Sequence, residues 1–88
     1  MVEMKRGMVV KSLAGHDKTQ VYVIMNADAE YVYLADGKIR TVDRLKRKKK
    51  KHVQPTNYID ELIDKSERIE DSYIRKLLKN FVAKQVNN

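Results

Sequence analysis

Residues 21–42 read VYVIMNADAEYVYLADGKIRTV, and this stretch decides the predicted fold. Its two apolar runs, residues 21–25 and 31–35, have the β-branched and aromatic composition of buried strands. Asp36-Gly37 follows the second run. An Asp-Gly pair between strand-like segments is a strong hairpin signal, because a type I′ turn needs positive φ at both central residues. The pattern therefore predicts a hairpin whose second strand covers residues 38–42.

The same pattern continues toward the N-terminus. Residues 8–12, MVVKS, predict a first strand, and the polar stretch after it, with Gly15 as its pivot, predicts a turn. Four short strands joined by tight turns predict a small antiparallel barrel or curled sheet. We expect this domain to cover residues 1–53.

The last third of the chain has a helical pattern. Pro55 disfavours helix at the residue before it, and Thr56 or Asn57 can serve as an N-cap. Two apolar stripes with helical spacing follow, namely Ile59, Leu62, Ile63 and then Ile74, Leu77, Leu78, Phe81, Val82. They predict a C-terminal helical extension over residues 54–88, with helices at about 57–64 and 71–84. The fold class is therefore mainly β with an α tail.

Positive charge is concentrated in the predicted β domain. Residues 1–57 contain 13 Lys and Arg against 6 Asp and Glu, whereas residues 58–88 contain 6 of each kind. The excess peaks in residues 46–51, KRKKKK. Six adjacent like charges repel one another unless a polyanion neutralises them, which favours nucleic acid as a partner. The alternative interpretation is a solvated linker between the β domain and the helices.

Composition argues against catalysis and against a metal site. The chain has no Cys, and its two His, His16 and His52, lie far apart without ligand spacing. No nucleophile stands near a base in a known motif, and no glycine loop matches a nucleotide-binding fingerprint. Apolar stretches are far shorter than the ~20 residues that a membrane span needs. We expect a cytoplasmic protein that is not an enzyme, binds no cofactor and is monomeric when free.

Two stretches carry a family resemblance. Residues 7–18, GMVVKSLAGHDK, resemble the KOW motif of ribosomal and transcription-elongation proteins. Residues 33–40, YLADGKIR, followed by the basic run and His52, are similar to the small KOW-domain RNA-binding proteins of Gram-positive bacteria. Those proteins resemble KOW-type large-subunit ribosomal proteins of archaea and eukaryotes. The resemblance covers about residues 5–55 and implies an SH3-like barrel that binds RNA, often ribosomal RNA.

The charge pattern and the resemblance together predict an RNA interface. In it the lysine run supplies affinity, Arg40 and Arg44 supply more specific contacts, and the loop at Gly15 sets orientation. The tyrosines are expected mainly in the core, with Tyr31 the best candidate for stacking on a base. The alternative function is a protein-interaction module of the transcription or translation machinery, which docks through its barrel or its C-terminal helices. The predicted RNA-binding residues are Lys11, Gly15, His16, Lys18, Lys38, Arg40, Arg44, Lys46, Arg47, Lys48, Lys49, Lys50, Lys51 and His52.

Overall fold

The computed structural model describes residues 3–13 and 20–86, which form a five-stranded sheet followed by two helices. The elements in chain order are β1 (Met8–Ser12), β2 (Val21–Ala27), β3 (Tyr31–Ala35), β4 (Lys46–Lys49), a 3₁₀ segment (Lys50–His52), β5 (Val53–Ile59), α1 (Glu61–Lys65) and α2 (Asp71–Val86). The first three predicted strands are confirmed, and β2 continues two residues further than expected.

The strands lie in the order β4-β3-β2-β1-β5, and every neighbouring pair is antiparallel. The predicted closed barrel is not seen in the described part of the chain, because the edge strands β4 and β5 do not pair with each other. The sheet is nevertheless curled. Lys48 Nζ on β4 donates a hydrogen bond of 2.8 Å to Ser12 Oγ on β1, although these strands would lie about 14 Å apart in a flat sheet.

Both faces of the sheet are covered over much of their area, which explains why β1 to β3 are continuous apolar runs rather than alternating ones. The inner face of the curl is an apolar layer of Met8, Val10, Tyr22, Ile24, Val32, Leu34 and Val53. The outer face packs against the helices through a second buried cluster of Val9, Val23, Met25, Ala35, Ile63, Ile69, Ile74, Leu77 and Leu78. Successive residues of one strand therefore enter different cores.

The predicted fourth strand at residues 38–42 is wrong. Asp36 Oδ1 accepts hydrogen bonds from the backbone N–H groups of Lys38 (2.8 Å) and Arg40 (2.9 Å), and residues 36–45 form a loop. Gly37 has a φ of 78°, but no non-glycine residue in the described part has positive φ, so Asp36 does not complete a type I′ turn. The strand is formed instead by Lys46–Lys49, so the basic run is not a linker.

The predicted helix at residues 57–64 is also misplaced. Residues 53–59 form the edge strand β5, so the sheet continues past residue 53, where the helical extension is expected to begin. An edge strand tolerates Pro55, because only one of its sides needs hydrogen-bond partners. The short helix α1 starts after Asp60, whose carboxylate caps it by accepting a hydrogen bond from Ile63 N at 3.0 Å. The α-helical tail thus consists of one short and one long helix, and α2 agrees with the second predicted helix.

Close backbone contacts fasten the helices to the sheet. A Cβ on Gly7 (φ 93°) would lie 2.6 Å from Asp60 O, and a Cβ on Gly37 would lie 2.5 Å from Asp71 O, so only glycine fits at either place. The Arg6 guanidinium donates 2.7 Å hydrogen bonds to three backbone carbonyls, those of Met25, Ile63 and Ser66.

A polar pair of the buried Asp60 and the half-buried Tyr73 stabilises the start of the helical tail. The Tyr73 hydroxyl on α2 donates to the carboxylate of Asp60, with an O–O distance of 2.9 Å to Oδ2. Burial, followed by this hydrogen bond, raises the pKa of Tyr73. The pair joins the N-cap of α1 to α2.

Candidate nucleic-acid interface

Strand β4 divides the basic run between the two faces of the sheet. Side chains alternate along a strand, so Lys46 and Lys48 lie on the inner face opposite Leu34 and Val32. Arg47 and Lys49 lie on the outer face, where their partners on β3 are Tyr33 and Tyr31. The two inner cations are half-buried and the two outer ones are exposed. The run is therefore two sets of cations with different surroundings.

The inner cations make contacts within the protein. Lys46 Nζ lies 5.7 Å from the ring centroid of the buried Tyr22, within cation–π range. Lys48 Nζ bonds to Ser12 Oγ, and Ser12 is fully buried. The aliphatic stems of both lysines cover the end of the inner core while the ammonium groups stay near its rim. These two residues therefore contribute to the packing of the curl.

The outer cations form a group with the residues that follow them. Lys50, Lys51 and His52 make up the 3₁₀ segment, in which Lys51 and His52 are exposed and Lys50 is half-buried. Within residues 3–13 and 20–86, none of these cations forms a salt bridge, and the ion pair found there joins Lys5 and Asp64. Lys50 lies close enough to Asp28 for its charge to add to the hydrogen bonds that lower the pKa of that carboxyl. We term this group the outer cation cluster, and it consists of Arg47, Lys49, Lys50, Lys51 and His52.

Two tyrosines stand beside the outer cation cluster. Tyr31 and Tyr33 share the outer face of β3, are half-buried and belong to neither apolar cluster. The Arg47 guanidinium carbon lies 4.6 Å from the centroid of the Tyr31 ring, in a cation–π arrangement. The part of the outer face near β4 thus presents aromatic and cationic groups where the helices do not cover it.

Asp28 fixes the turn from which β3 begins. Its Oδ1 accepts hydrogen bonds from the backbone N–H groups of Glu30 (3.0 Å) and Tyr31 (2.7 Å), and its Oδ2 accepts one from the Tyr33 hydroxyl (2.9 Å). The Tyr31 N–H above all, with the Tyr33 hydroxyl and the Glu30 N–H, holds the pKa of Asp28 below its ordinary value. The same hydrogen bond from its hydroxyl raises the pKa of Tyr33. Sequence reasoning missed this pair, although an Asp just before a strand is a recognisable turn signal.

The 3₁₀ segment lies beside the start of the loop between β1 and β2. The backbone N–H of Leu13 donates a hydrogen bond to His52 O at 3.0 Å, so Leu13 lies next to the outer cation cluster. The predicted RNA-binding residues Gly15, His16 and Lys18 lie outside the described residues, and they remain predictions.

The other predicted RNA-binding residues are not gathered at this place. Lys38, Arg40 and Arg44 lie in the loop after β3, whereas Lys49 pairs with Tyr31 at the opposite end of that strand, about 13 Å away along β3. Lys11 Nζ donates to Gln85 Oε1 near the end of α2 at 3.2 Å. The structure therefore separates the predicted site into the outer cation cluster and scattered cations elsewhere.

A groove lies between α2 and the start of β2, with a volume of about 890 Å³. Its floor is apolar and its rim is cationic, with Val21, Leu78, Val82, Lys38, Lys76 and Lys79 among its lining residues. Sequence reasoning named Lys38 but missed Lys76 and Lys79, although these two stand at the i, i+3 spacing that places two residues on one helix face.

The structure and the comparisons with known proteins add four negative findings. In the part of the chain that is described, no helix is long and apolar enough to span a membrane. No three His, Asp or Glu side chains of the described residues converge into a metal-holding group. No protein-family model matches the sequence, and a search of curated proteins finds no match. The resemblance to KOW proteins therefore stays a prediction.

Proposed function

We propose that this chain is a non-catalytic RNA-binding protein, with ribosomal RNA as the expected partner, acting in ribosome structure, assembly or translation. The observation that carries the proposal is the outer cation cluster, in which adjacent cations follow one another at one strand end and form no salt bridge among the described residues. Such a cluster is costly to maintain in isolation and favourable beside a chain of phosphates. The protein is proposed to act in the cytoplasm and to be a monomer when free.

The physical basis of binding is counterion release. Each phosphate neutralised by a lysine or arginine contributes about −0.7 to −0.9 to the slope of log affinity against log salt. Lysines supply affinity without sequence information, so recognition depends on RNA shape and on contacts made by neighbouring groups.

The proposal includes the KOW family and its SH3-like barrel. In support, β1 to β3 form the expected antiparallel unit, and only three residues join the two edge strands β4 and β5. Lys48 and Ser12 meet across the inner face, as they would in a nearly closed barrel. His52 of the outer cation cluster also accepts a hydrogen bond from Leu13 N, and Leu13 stands two residues before the KOW-like Gly15 in the sequence.

The test compares the two sides of β4. Filter binding to a structured RNA hairpin with an unpaired loop is measured for R47Q/K49Q and for K46Q/K48Q, which have the same net charge. We expect the outer variant to lose about tenfold or more in affinity and the inner variant less than about threefold, since exposed ion pairs contribute up to about 1 kcal/mol each. Equal losses would remove the outer cation cluster from the mechanism, and no RNA binding by wild type in dilute buffer would refute the function.

The groove beside α2 favours a second function, docking of a protein partner. An acidic segment with apolar side chains would match its apolar floor and its cationic rim. Val82 is 44% exposed there, so V82D should weaken such docking without changing RNA binding. RNA binding should also fall steeply with salt, whereas an apolar contact should not. A partner retained at high salt, and lost with V82D, would favour this second function.

A further inference from the structure

Tyr31 and Tyr33 have no packing role that explains their place on the sheet. The remaining residues of β3, namely Val32, Leu34 and Ala35, are fully buried in one or the other apolar cluster, whereas these two rings lie outside both. Half-exposed aromatic rings side by side on a strand are a costly surface unless something covers them. The rings are therefore candidates for contact with a flat ligand.

The two rings are held in place before any ligand arrives. The Tyr33 hydroxyl is fixed by Asp28, and the same carboxylate fixes the backbone N–H of Tyr31. The Arg47 guanidinium lies over the Tyr31 ring, so these two side chains form a cation–aromatic layer. A guanidinium plane and a tyrosine ring are both surfaces on which nucleobases stack. Because the layer is already ordered, little side-chain entropy would be lost on stacking.

The charges beside the layer indicate where phosphates would lie. Lys49 pairs with Tyr31, and Lys50 N donates to Glu30 O at 2.9 Å, so these lysines border the layer where β3 begins. Asp28, which holds the Tyr33 hydroxyl, lies at the same end of β3, and its pKa is lowered mainly by the Tyr31 N–H and slightly by the charge of Lys50. Phosphates are attracted to this end by the cations that continue into the 3₁₀ segment. An RNA strand would therefore run along the lysines with its bases turned over the tyrosines.

We propose that the outer face of β3 and β4 binds unpaired RNA bases, which stack on the layer of Tyr31 and Arg47 beside Tyr33, while the sugar–phosphate chain follows residues 49–51. The inference rests on the proposed RNA binding and names the form of RNA that is bound. A duplex keeps its bases inside the helix and cannot present them to this layer, so single-stranded loops or ends are the ligands.

The test distinguishes RNA binding through the bases from RNA binding through the phosphates. Fluorescence anisotropy is used to compare a labelled single-stranded 12-mer with the same oligonucleotide carrying consecutive abasic sites, which retains every phosphate. Wild type should bind the abasic strand at least about fivefold more weakly, the effect of one stacked base. Y31A should lose this discrimination and Y31F should keep it. Y58A is the matched control, because Tyr58 is a half-exposed tyrosine on the other edge strand, 38% exposed beside Phe81.

The outcomes distinguish the two proposals. If wild type binds both strands equally, base stacking is refuted while RNA binding through the cations survives. If wild type discriminates but Y31A does so equally well, the bases are read elsewhere and the stacking layer is refuted. If neither strand binds in dilute buffer, the proposed function itself fails.

Discussion

The inner and outer cations of β4 have nearly the same chemistry but different surroundings. Lys46 and Lys48 lie over Tyr22 and Ser12 at the rim of a buried core. Arg47 and Lys49 lie on the opposite face beside Tyr31 and Tyr33, with no carboxylate partner in the described part of the chain. The strand period of two alone creates this division. A run of like charges can therefore serve folding and binding at once, because adjacent residues face different environments.

The division also explains how a sheet with a lysine-rich edge remains stable. Lysines on an edge strand oppose pairing with another chain, because a second strand would have to bury their charges. The inner lysines add cation–π and hydrogen-bond contacts that offset part of the repulsion along the run. Binding is proposed for the outer cation cluster, whose residues make no such contacts with the inner core in the described part of the chain.

Charge reversal on the outer face should give the largest effect. R47E/K49E should lower RNA affinity roughly a hundredfold, since the loss of the two charged contacts costs about tenfold and the repulsion of two new carboxylates adds about as much again. K65E/K84E makes the same change in net charge on exposed helical positions, away from β4. Filter binding at low salt measures both variants. Equal weakening by the control would mean that overall charge, and not the outer face, governs binding.

The salt dependence should reveal how many phosphates the outer residues contact. R47Q/K49Q should make the slope of log affinity against log salt shallower by about 1.4–1.8, the value for two phosphate contacts. K46Q/K48Q should leave the slope within the error of wild type. Titrations at several salt concentrations measure it, and a slope change that is larger for the inner pair would reverse the assignment of roles.

Substitutions on the inner face should lower folding stability more than substitutions on the outer face, which is the opposite of their expected order for RNA affinity. K48M removes the hydrogen bond to the fully buried Ser12 and should lower the free energy of unfolding by about 1 kcal/mol. K49M, its neighbour on the exposed face, should stay within about 0.5 kcal/mol of wild type. Urea denaturation measures both variants. A larger loss for K49M would show that the outer face carries folding energy.

The smallest expected effect concerns Asp28, which orders the outer face. Its folded-state pKa lies below the ordinary value, so its contribution to stability is present above the unfolded pKa of about 3.9 and is lost as the pH falls through the folded pKa. Wild type should therefore melt at a higher temperature than D28N at neutral pH, and the two melting curves should converge in acid. Parallel curves at every pH would remove the Asp28 hydrogen bonds from the account.

The strands that could be predicted are those whose composition matches their environment on both sides. Residues 8–12, 21–25 and 31–35 are apolar because both sheet faces are covered there, and these strands were predicted correctly. Strand β4 could not be predicted, because lysine disfavours strands and its pairing depends on β3 across the loop of residues 36–45. The Asp36-Gly37 pair led to a wrong hairpin prediction. The Asp36 side chain accepts hydrogen bonds from the backbone N–H groups of Lys38 and Arg40, and these bonds stabilise a loop instead of a type I′ turn.

The helical tail also shows that contacts between residues far apart in sequence cannot be predicted from a local pattern. Its periodicity predicted α2, but the start of α1 depends on Asp60, whose carboxylate is held by Tyr73 from a distant part of the chain. For the candidate site, composition found the basic run, and only the register of β4 against β3 divides it into two faces. The tyrosines beside Arg47 follow from that same register.

The most direct test of the account is lysine acetylation footprinting with and without RNA, because mass spectrometry reports each lysine separately. We expect RNA to protect Lys49 and Lys51 several-fold and to leave Lys46 and Lys48 almost unchanged, with Lys65 as an unprotected reference. Equal protection of the inner and outer lysines, or protection confined to Lys76 and Lys79 beside the groove, would contradict the central claim that the outer face of β4 binds RNA.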